Sequence, residues 1–412
     1  MDIGNTGFLL ICAALVFIMT PALALFYGGM SRKKNVLNTI MMSFIVLGIV
    51  SVEWILYGYS LAFSQDINGL IGSLNFVGLS GVGLTPNPDY IDSVPHLLFM
   101  AFQMMFALIT AALISGSVVG RMRFSAYALF IFLWTSIVYN PLAHWVWGVG
   151  GWIREMGALD FAGGTVVHIS SGITALVLCM LLGKRKPGLE MMIPHNLPMT
   201  VLGAALLWIG WFGFNGGSAL GANEIAVNAF VTTHIAASAA IISWALVEIW
   251  HHGKPTMLGV ASGCIAGLVV VTPACGFVTP LAALFMGFLV SPVCYFAVSV
   301  AKVRLGYDDA LDAFGIHGVG GTLGALLTGI FATKAVNPDG ADGLLASGSF
   351  HLLWVQFVSV IATMVLAAGA TYILYKAVNC LFKARVSEGE EYTGLDFTQH
   401  GENAYDIDSL LR

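Results

Sequence analysis

Eleven times along this chain, a run of about twenty residues passes with at most one charged side chain. A helix of that length crosses the hydrocarbon core of a bilayer. Only 9% of the 412 residues are charged and 58% are hydrophobic; an ordinary soluble domain carries about 25% charged residues. So little charge cannot clothe a water-facing surface. The runs far exceed the roughly 10-residue alternating strands of a membrane barrel. Helices, which satisfy their backbone internally, must therefore cross the membrane. The sequence predicts an all-α polytopic membrane protein with eleven transmembrane helices, over about 7–30, 36–63, 92–119, 124–147, 159–183, 197–219, 225–250, 256–273, 277–301, 312–333 and 349–380.

Orientation follows from lysine and arginine. Fifteen of the 17 lie in one set of loops and ends: Arg32, Lys33, Lys34, Arg121, Arg123, Lys184, Arg185, Lys186, Lys254, Lys302, Arg304, Lys376, Lys383, Arg385 and Arg412. The other set holds Arg154 and Lys334. The first set is expected in the cytoplasm, with the N-terminus outside and the C-terminus inside, which requires an odd number of spans. Met1 to Thr6 carries no basic side chain ahead of its apolar run, which reads as a first spanning helix rather than a signal peptide. The 64–91 loop, rich in glycine and asparagine, reads as an outer surface cap. The six cysteines lie in or beside apolar runs with no paired-ligand spacing; they read as small core residues.

A faint repeat divides the chain. Phe26-Tyr27-Gly28-Gly29 in the first run returns as Phe214-Asn215-Gly216-Gly217 in the sixth, and an Asp/Gly/His pattern in the fifth returns in the tenth. Five helices per half force opposite orientations. The expected fold is two inverted five-helix repeats, about 7–183 and 197–333, plus an extra helix at about 349–380, with the site between the halves near the midplane.

His168 and His317 stand at equivalent depths of that repeat. Histidine inside hydrocarbon is costly. Either each is capped by a carbonyl, or the two meet and share a hydrogen bond as a proton relay. Asp160 and Asp312 open the His-bearing runs; the plain reading is helix capping, and Asp160 could also draw a cation to the outer side. Asp160 and His168 stand about two turns apart, ~12 Å along a helix, too far for a shared hydrogen bond. Phe102 and Phe106 share one helical face, and Trp211, Phe214 and Ser218 share another. Interfacial belt and core packing account for each alone. Together with Trp147 they also furnish a π-face, a hydroxyl acceptor and a pair of phenylalanines able to close a path, a set suited to one small cation.

At this point the chain resembles the ammonium transporter family (Amt/Mep/Rh), on its bacterial Amt side. The resemblance rests on Ala24-Leu25-Phe26-Tyr27-Gly28-Gly29, Tyr57 to Phe63, Ala158-Leu159-Asp160-Phe161-Ala162-Gly163-Gly164-Thr165-Val166-Val167-His168, Pro194-His195-Asn196-Leu197-Pro198, Trp211 to Asn215, Ala222-Asn223-Glu224, Val271 to Gly276 and Asp312 to Gly318. It implies that Trp147, Ser218 and Phe106 frame an outer ammonium site supported by Asp160. It further implies that Phe106 and Phe214 form a stacked gate, and that His168, His317, Trp211 and Phe102 line the pore. It implies a homotrimer with one conduit per subunit. Two positions depart from the pattern: Gly120 stands where many bacterial members have an acid, and Glu53 where an apolar residue is common.

Residues 1–383 are thus expected to form the membrane domain and 384–412 a cytoplasmic tail. By composition alone that tail is solvated and disordered. Its Gly394-Leu395-Asp396 and His400 to Tyr405 pieces instead resemble the family's regulatory region, which packs under the pores and in many bacteria helps dock a PII-type signalling protein. The reading is a channel or transporter in the cytoplasmic (inner) membrane of a bacterium that recruits ammonium, with methylammonium as a candidate second substrate, then strips its proton and conducts ammonia. The alternative is an ammonium sensor that transports little. With no activated nucleophile, metal motif or nucleotide loop, no enzyme activity, cofactor, metal or nucleic acid is expected.

Overall fold

The computed structural model describes residues 1–189 and 193–405. Among these, eleven membrane-type helices follow the predicted order: α1 Ile3–Met30, α2 Val36–Phe63, α3 His96–Val118, α4 (Phe124–Trp134, Thr135–Tyr139 and Asn140–Trp147 in series), α5 Gly164–Leu182, α6 Leu197–Gly217, α7 Glu224–His252, α8 Met257–Val271, α9 Pro280–Leu305, α10 Phe314–Phe331 and α11 His351–Phe382. Ten are long enough to span a membrane, and α8 is shorter. Starts are written locally: Asp2, Asn196, Asn223 and Thr256 each accept a hydrogen bond from a backbone N–H three residues on, at 2.7–2.9 Å.

The largest boundary difference is at α5, which begins at Gly164 rather than near 159; α10 begins at Phe314, two residues after the expected 312. Both helices open with a π-helical turn, Gly164–Ile169 and Phe314–Gly318, each containing a histidine. Such turns re-aim side chains and recur at functional sites.

Glycine lets the two halves interlock. A Cβ on Gly203 of α6 would sit 2.4 Å from the Phe26 nitrogen of α1, and one on Gly213 2.6 Å from the Leu15 side chain. The crossing of α5 and α10 is closer still. A Cβ on Gly172 would lie 2.2 Å from the Gly318 nitrogen, and one on Gly321 2.9 Å from the His168 Cβ. Backbone approach of this kind is how membrane helices pack without a hydrophobic driving force between them. α11 clamps the pair from outside: Gln356 donates to Leu159 O (2.8 Å) and Ala325 O (3.0 Å), and Tyr375 donates to Leu181 O (3.2 Å).

The two atypical positions have local accounts. Glu53 is buried, and its Oε1 accepts from Asn140 (2.7 Å) and Ser136 (3.2 Å) of α4, so it faces protein rather than lipid. Gly120 has φ +75°, and a Cβ there would meet the Asn35 amide at 2.8 Å; this tight backbone turn suits glycine.

The 64–95 connection caps the face that also carries the N-terminus. It includes a hairpin pairing β1 (Asp66–Ile67) with β2 (Ile71–Gly72), and Ser93 O accepts from Asp2 N. On the opposite face the tail, described to residue 405, packs against the helix connections. It contains α12 Glu388–Thr393, opened by a Ser387/Glu390 capping box, and α13 Leu395–His400. Its acidic groups explain that packing. Asp396 accepts from the Asn38 amide at the start of α2 (2.8 Å), and Glu391 accepts from both the Lys186 amide (2.8 Å) and Arg385 (2.9 Å). Buried carboxylates persist where N–H donors meet them, which a composition-based expectation of disorder overlooks.

Candidate functional site

Asp160 organises the N-terminal end of α5. Gly163, at φ +112°, turns the chain so that several N–H groups converge on one carboxylate. Gly163 N (2.9 Å) and Gly164 N (2.6 Å) donate to Oδ1; Thr165 N (2.8 Å), Val166 N (3.3 Å) and the Thr165 hydroxyl donate to Oδ2. The Asp160 backbone carbonyl accepts from the Trp147 indole N–H at 2.9 Å. Asp160, only 8% exposed as a residue, therefore fixes Trp147 while its carboxylate is consumed locally.

Trp147 lines a vestibule of about 160 Å³ with Ser218, Phe106, Tyr90, Gln103 and Arg154. The Ser218 hydroxyl donates to Phe214 O at 2.8 Å. Its remaining lone pairs can accept from a donor in the vestibule. Phe106 closes the floor, stacked on Phe214 with centroids 4.2 Å apart and planes at 21°; Trp147 meets Phe106 edge-on at 5.9 Å.

Below the stacked pair lies a narrow cavity of about 10 Å³, lined by Phe214, Trp211, His168, His317 and aliphatic side chains of α1, α3, α6 and α8. A second of similar size continues past His317 along Phe26, Ile265 and Leu311. Each has room for about one water-sized molecule. The second shares Met30, Leu311 and Asp312 with a wide cavity at the tail face. Vestibule, stacked rings, two narrow cavities and the wide tail-face cavity thus run in series.

The two imidazoles meet at their Nδ1 atoms, 3.3 Å apart. His168 also stacks on Trp211 (centroids 5.5 Å), whose indole N–H donates to Thr272 at 2.9 Å. Nδ1-to-Nδ1 contact between neutral rings needs one proton between them. One ring then carries an Nε2–H and the other a bare Nε2, so the pair offers one donor and one acceptor. The His168 Nε2 is buried with no hydrogen-bond partner among the described residues.

A family model for the Ammonium Transporter Family matches residues 7–405. The chain belongs to that family. It is 55% identical to the ammonium transporter of Bacillus subtilis (strain 168) over 98% of this chain and 99% of that protein. It is 47% identical to ammonium transporter Amt1 of Archaeoglobus fulgidus over 98% of this chain and 100% of that one. The crystal structure of Saccharomyces cerevisiae Mep2 superposes with a TM-score of 0.90 at 38% identity, covering 99% of this chain and 93% of that chain. A structure titled Sensor Amt Protein superposes at 0.87 and 29% identity, covering 96% and 98%. Named relatives that are transporters place this family member among transporters rather than enzymes.

Within this family member, Trp147, Ser218, Phe106, Phe214, Trp211, His168 and His317 line one continuous series. Phe102 does not. It sits edge-on behind Phe106 (centroids 5.0 Å) and close to Gly217, outside the cavity linings. Asp312 is not the cap of α10 either. It has φ +60° and pairs with Lys302 at 2.5 Å. The cap is Asp309, which accepts from Ala313 N (3.2 Å) and Phe314 N (2.8 Å). The signal was in the numbering: Asp309 precedes His317 by eight residues, as Asp160 precedes His168. Beside it, burial and the charge on Asp312 push the Asp309 carboxyl up, while Arg185 and Arg121 hold Asp308 down at about 2 despite its own burial. Thr165, Thr272 and Arg154 also escaped sequence reasoning, because no periodicity marks them.

Proposed function

We propose that this chain draws ammonium to the Trp147 vestibule, removes its proton there and conducts ammonia past the stacked phenylalanines and between the histidines. The observation that carries the reading is the series of cavities on either side of the Phe106–Phe214 stack. The narrow cavity below the stack has no carboxylate in its lining and space for only one small molecule. A bare cation at mid-membrane costs several kcal/mol, and nothing in that lining offsets the cost. Neutral ammonia, both donor and acceptor, matches the complementary Nε2 atoms of the histidine pair. Trp147 offers cation–π attraction, and Ser218 offers an oxygen.

The proton either stays on the vestibule side or crosses by a separate relay through the histidines. Current on a supported membrane after an ammonium jump separates these routes; no current excludes electrogenic transport. Uptake of labelled methylammonium by the wild type, His168→Ala and Trp147→Ala tests the assignment. Uptake in both variants equal to that of the wild type defeats it.

In this reading 1–383 is the transporting domain and 384–412 its cytoplasmic regulator, in a homotrimer spanning a bacterial cytoplasmic membrane with the vestibule outside. The fifteen-to-two charge split supports that orientation. A PII-type protein docking at the tail face predicts co-purification that tail deletion abolishes. The likeness to the structure titled Sensor Amt Protein and the docked tail keep a sensing role as the second reading. Rescue of growth on low ammonium in a transporter-deficient cell supports transport, and failure despite good expression supports sensing.

A further inference from the structure

The vestibule proposed to collect a cation is lined by a cation. Arg154 lies in the short turn Trp152–Glu155 that follows α4. That turn is anchored from both sides: Trp152 N donates to Gly69 O at 3.1 Å, and Ile153 is fully buried. The Arg154 side chain is exposed and its Nη1 donates to the Trp147 backbone carbonyl at 2.5 Å. The guanidinium is thus fixed to the residue whose ring faces the cargo, and it shares that cavity with Ser218 and Phe106.

No carboxylate lines the vestibule to neutralise it. Asp160 is taken up by the N–H groups of Gly163 to Val166. Asp66 and Asp89 line the adjoining cavity of the outer cap, and Glu155 lines neither. The Arg154 charge reaches into the vestibule lining at Tyr90. Burial pushes that phenol up to about 12, against the hydrogen bond from the Val149 amide and then the Arg154 charge, with Asp89 acting weakly in the opposite sense to Arg154.

We infer that Arg154 is a specificity-determining residue that weakens cation occupancy of the Trp147 vestibule and so sets the ammonium concentration at which transport saturates. The inference rests on the recruitment reading above. A fixed positive charge raises the free energy of any cation beside it, in proportion to that cation's charge. It therefore disfavours divalent cations and polyamines more than ammonium. The hydrogen bond to Trp147 ties these effects to one place.

The test uses full-length protein in proteoliposomes, with labelled methylammonium as the probe and wild type, Arg154→Gln, Arg154→Lys and Trp147→Leu compared at low and high ionic strength. Arg154→Gln keeps a donor for the Trp147 carbonyl and removes the charge. It should lower the apparent KM roughly 3- to 10-fold at low salt, with Vmax little changed. The gain should shrink towards nothing at about 0.5 M salt, where the screening length falls below roughly 5 Å. Arg154→Lys should stay near the wild-type KM at both salts. A KM raised by both Arg154 variants regardless of salt overturns the inference and makes Arg154 a support for Trp147. A salt-independent decrease overturns it as well. Trp147→Leu separates the two levels. If its KM rises while Arg154→Gln has no effect, this inference alone falls; if its KM is unmoved, the recruitment reading falls too.

Discussion

The N-terminal ends of α5 and α10 are built on one plan and finished differently. Each has an aspartate eight residues before a histidine, a π-helical turn holding that histidine, and a glycine at the shared crossing. Asp160 collects five hydrogen bonds, all from its own segment. Asp309 collects two, and its neighbours Asp308 and Asp312 reach outward to Arg121, Arg185 and Lys302. The first end is closed on itself and presents Trp147 to the vestibule. The second is wired to two other connections and to the last turns of α9, and lies on the same face as the tail. The repeat therefore fixes where the histidines meet, while electrostatics divides the ends into one that is self-sufficient and one that is linked to its neighbours.

The sharpest way to break this contrast is to remove each cap. Asp160→Ala bares several buried N–H groups and should cost roughly 3–5 kcal/mol, with loss of folded protein on size exclusion. Asp309→Ala should cost about 1–2 kcal/mol. Equal losses in thermal melts would remove the distinction.

The linked end should also show the stronger acid dependence. Asp308 is held at about 2 against an ordinary value of 3.8, so the folded state binds its proton less readily than the unfolded state. Its contribution, roughly 2 kcal/mol, is complete above about pH 4 and lost as pH falls towards 2. Asp308→Asn should flatten the melting profile across that window. An unchanged acid slope refutes the charge-linked end.

Across the crossing the halves should act as one. His168→Ala or His317→Ala should each lower uptake at least about tenfold, with the double variant little worse than either single. Multiplying losses would mean that the rings work separately. The smallest effect belongs to Phe102: Phe102→Leu should cost under about 1.5 kcal/mol and leave uptake near wild type, whereas Phe106→Leu should alter it. A large uptake defect in Phe102→Leu would restore Phe102 to the pore.

Most of the architecture was legible because hydrocarbon imposes a length rule and the basic residues break it in one set of loops. His168 and His317 stood out because the same environment makes an imidazole costly. Asp309 did not, since Asp312 lies nearer its histidine and reads as the obvious cap; only the eight-residue spacing shared with Asp160 distinguishes them. Phe102 shares a helical face with Phe106, but a shared face does not say which ring reaches the cavity, and here Gly217 makes room for Phe102 behind Phe106. Arg154 was legible only as one of the two basic residues in the outer set of loops. Its meaning depends on a turn that returns it to Trp147, seven residues back.

The docked tail has a consequence of its own. Glu391 is shared between the Lys186 amide and Arg385, Asp396 holds the start of α2, and Tyr392 donates to Pro187 O. A strap fastened to several connections cannot lift at one point without disturbing the rest. Any molecule that distinguishes the strapped from the unstrapped arrangement is then thermodynamically linked to any cargo that does so, and each alters the other's affinity by the same factor. Measuring ammonium-dependent protection of the tail from a protease would read that reciprocity from its far end.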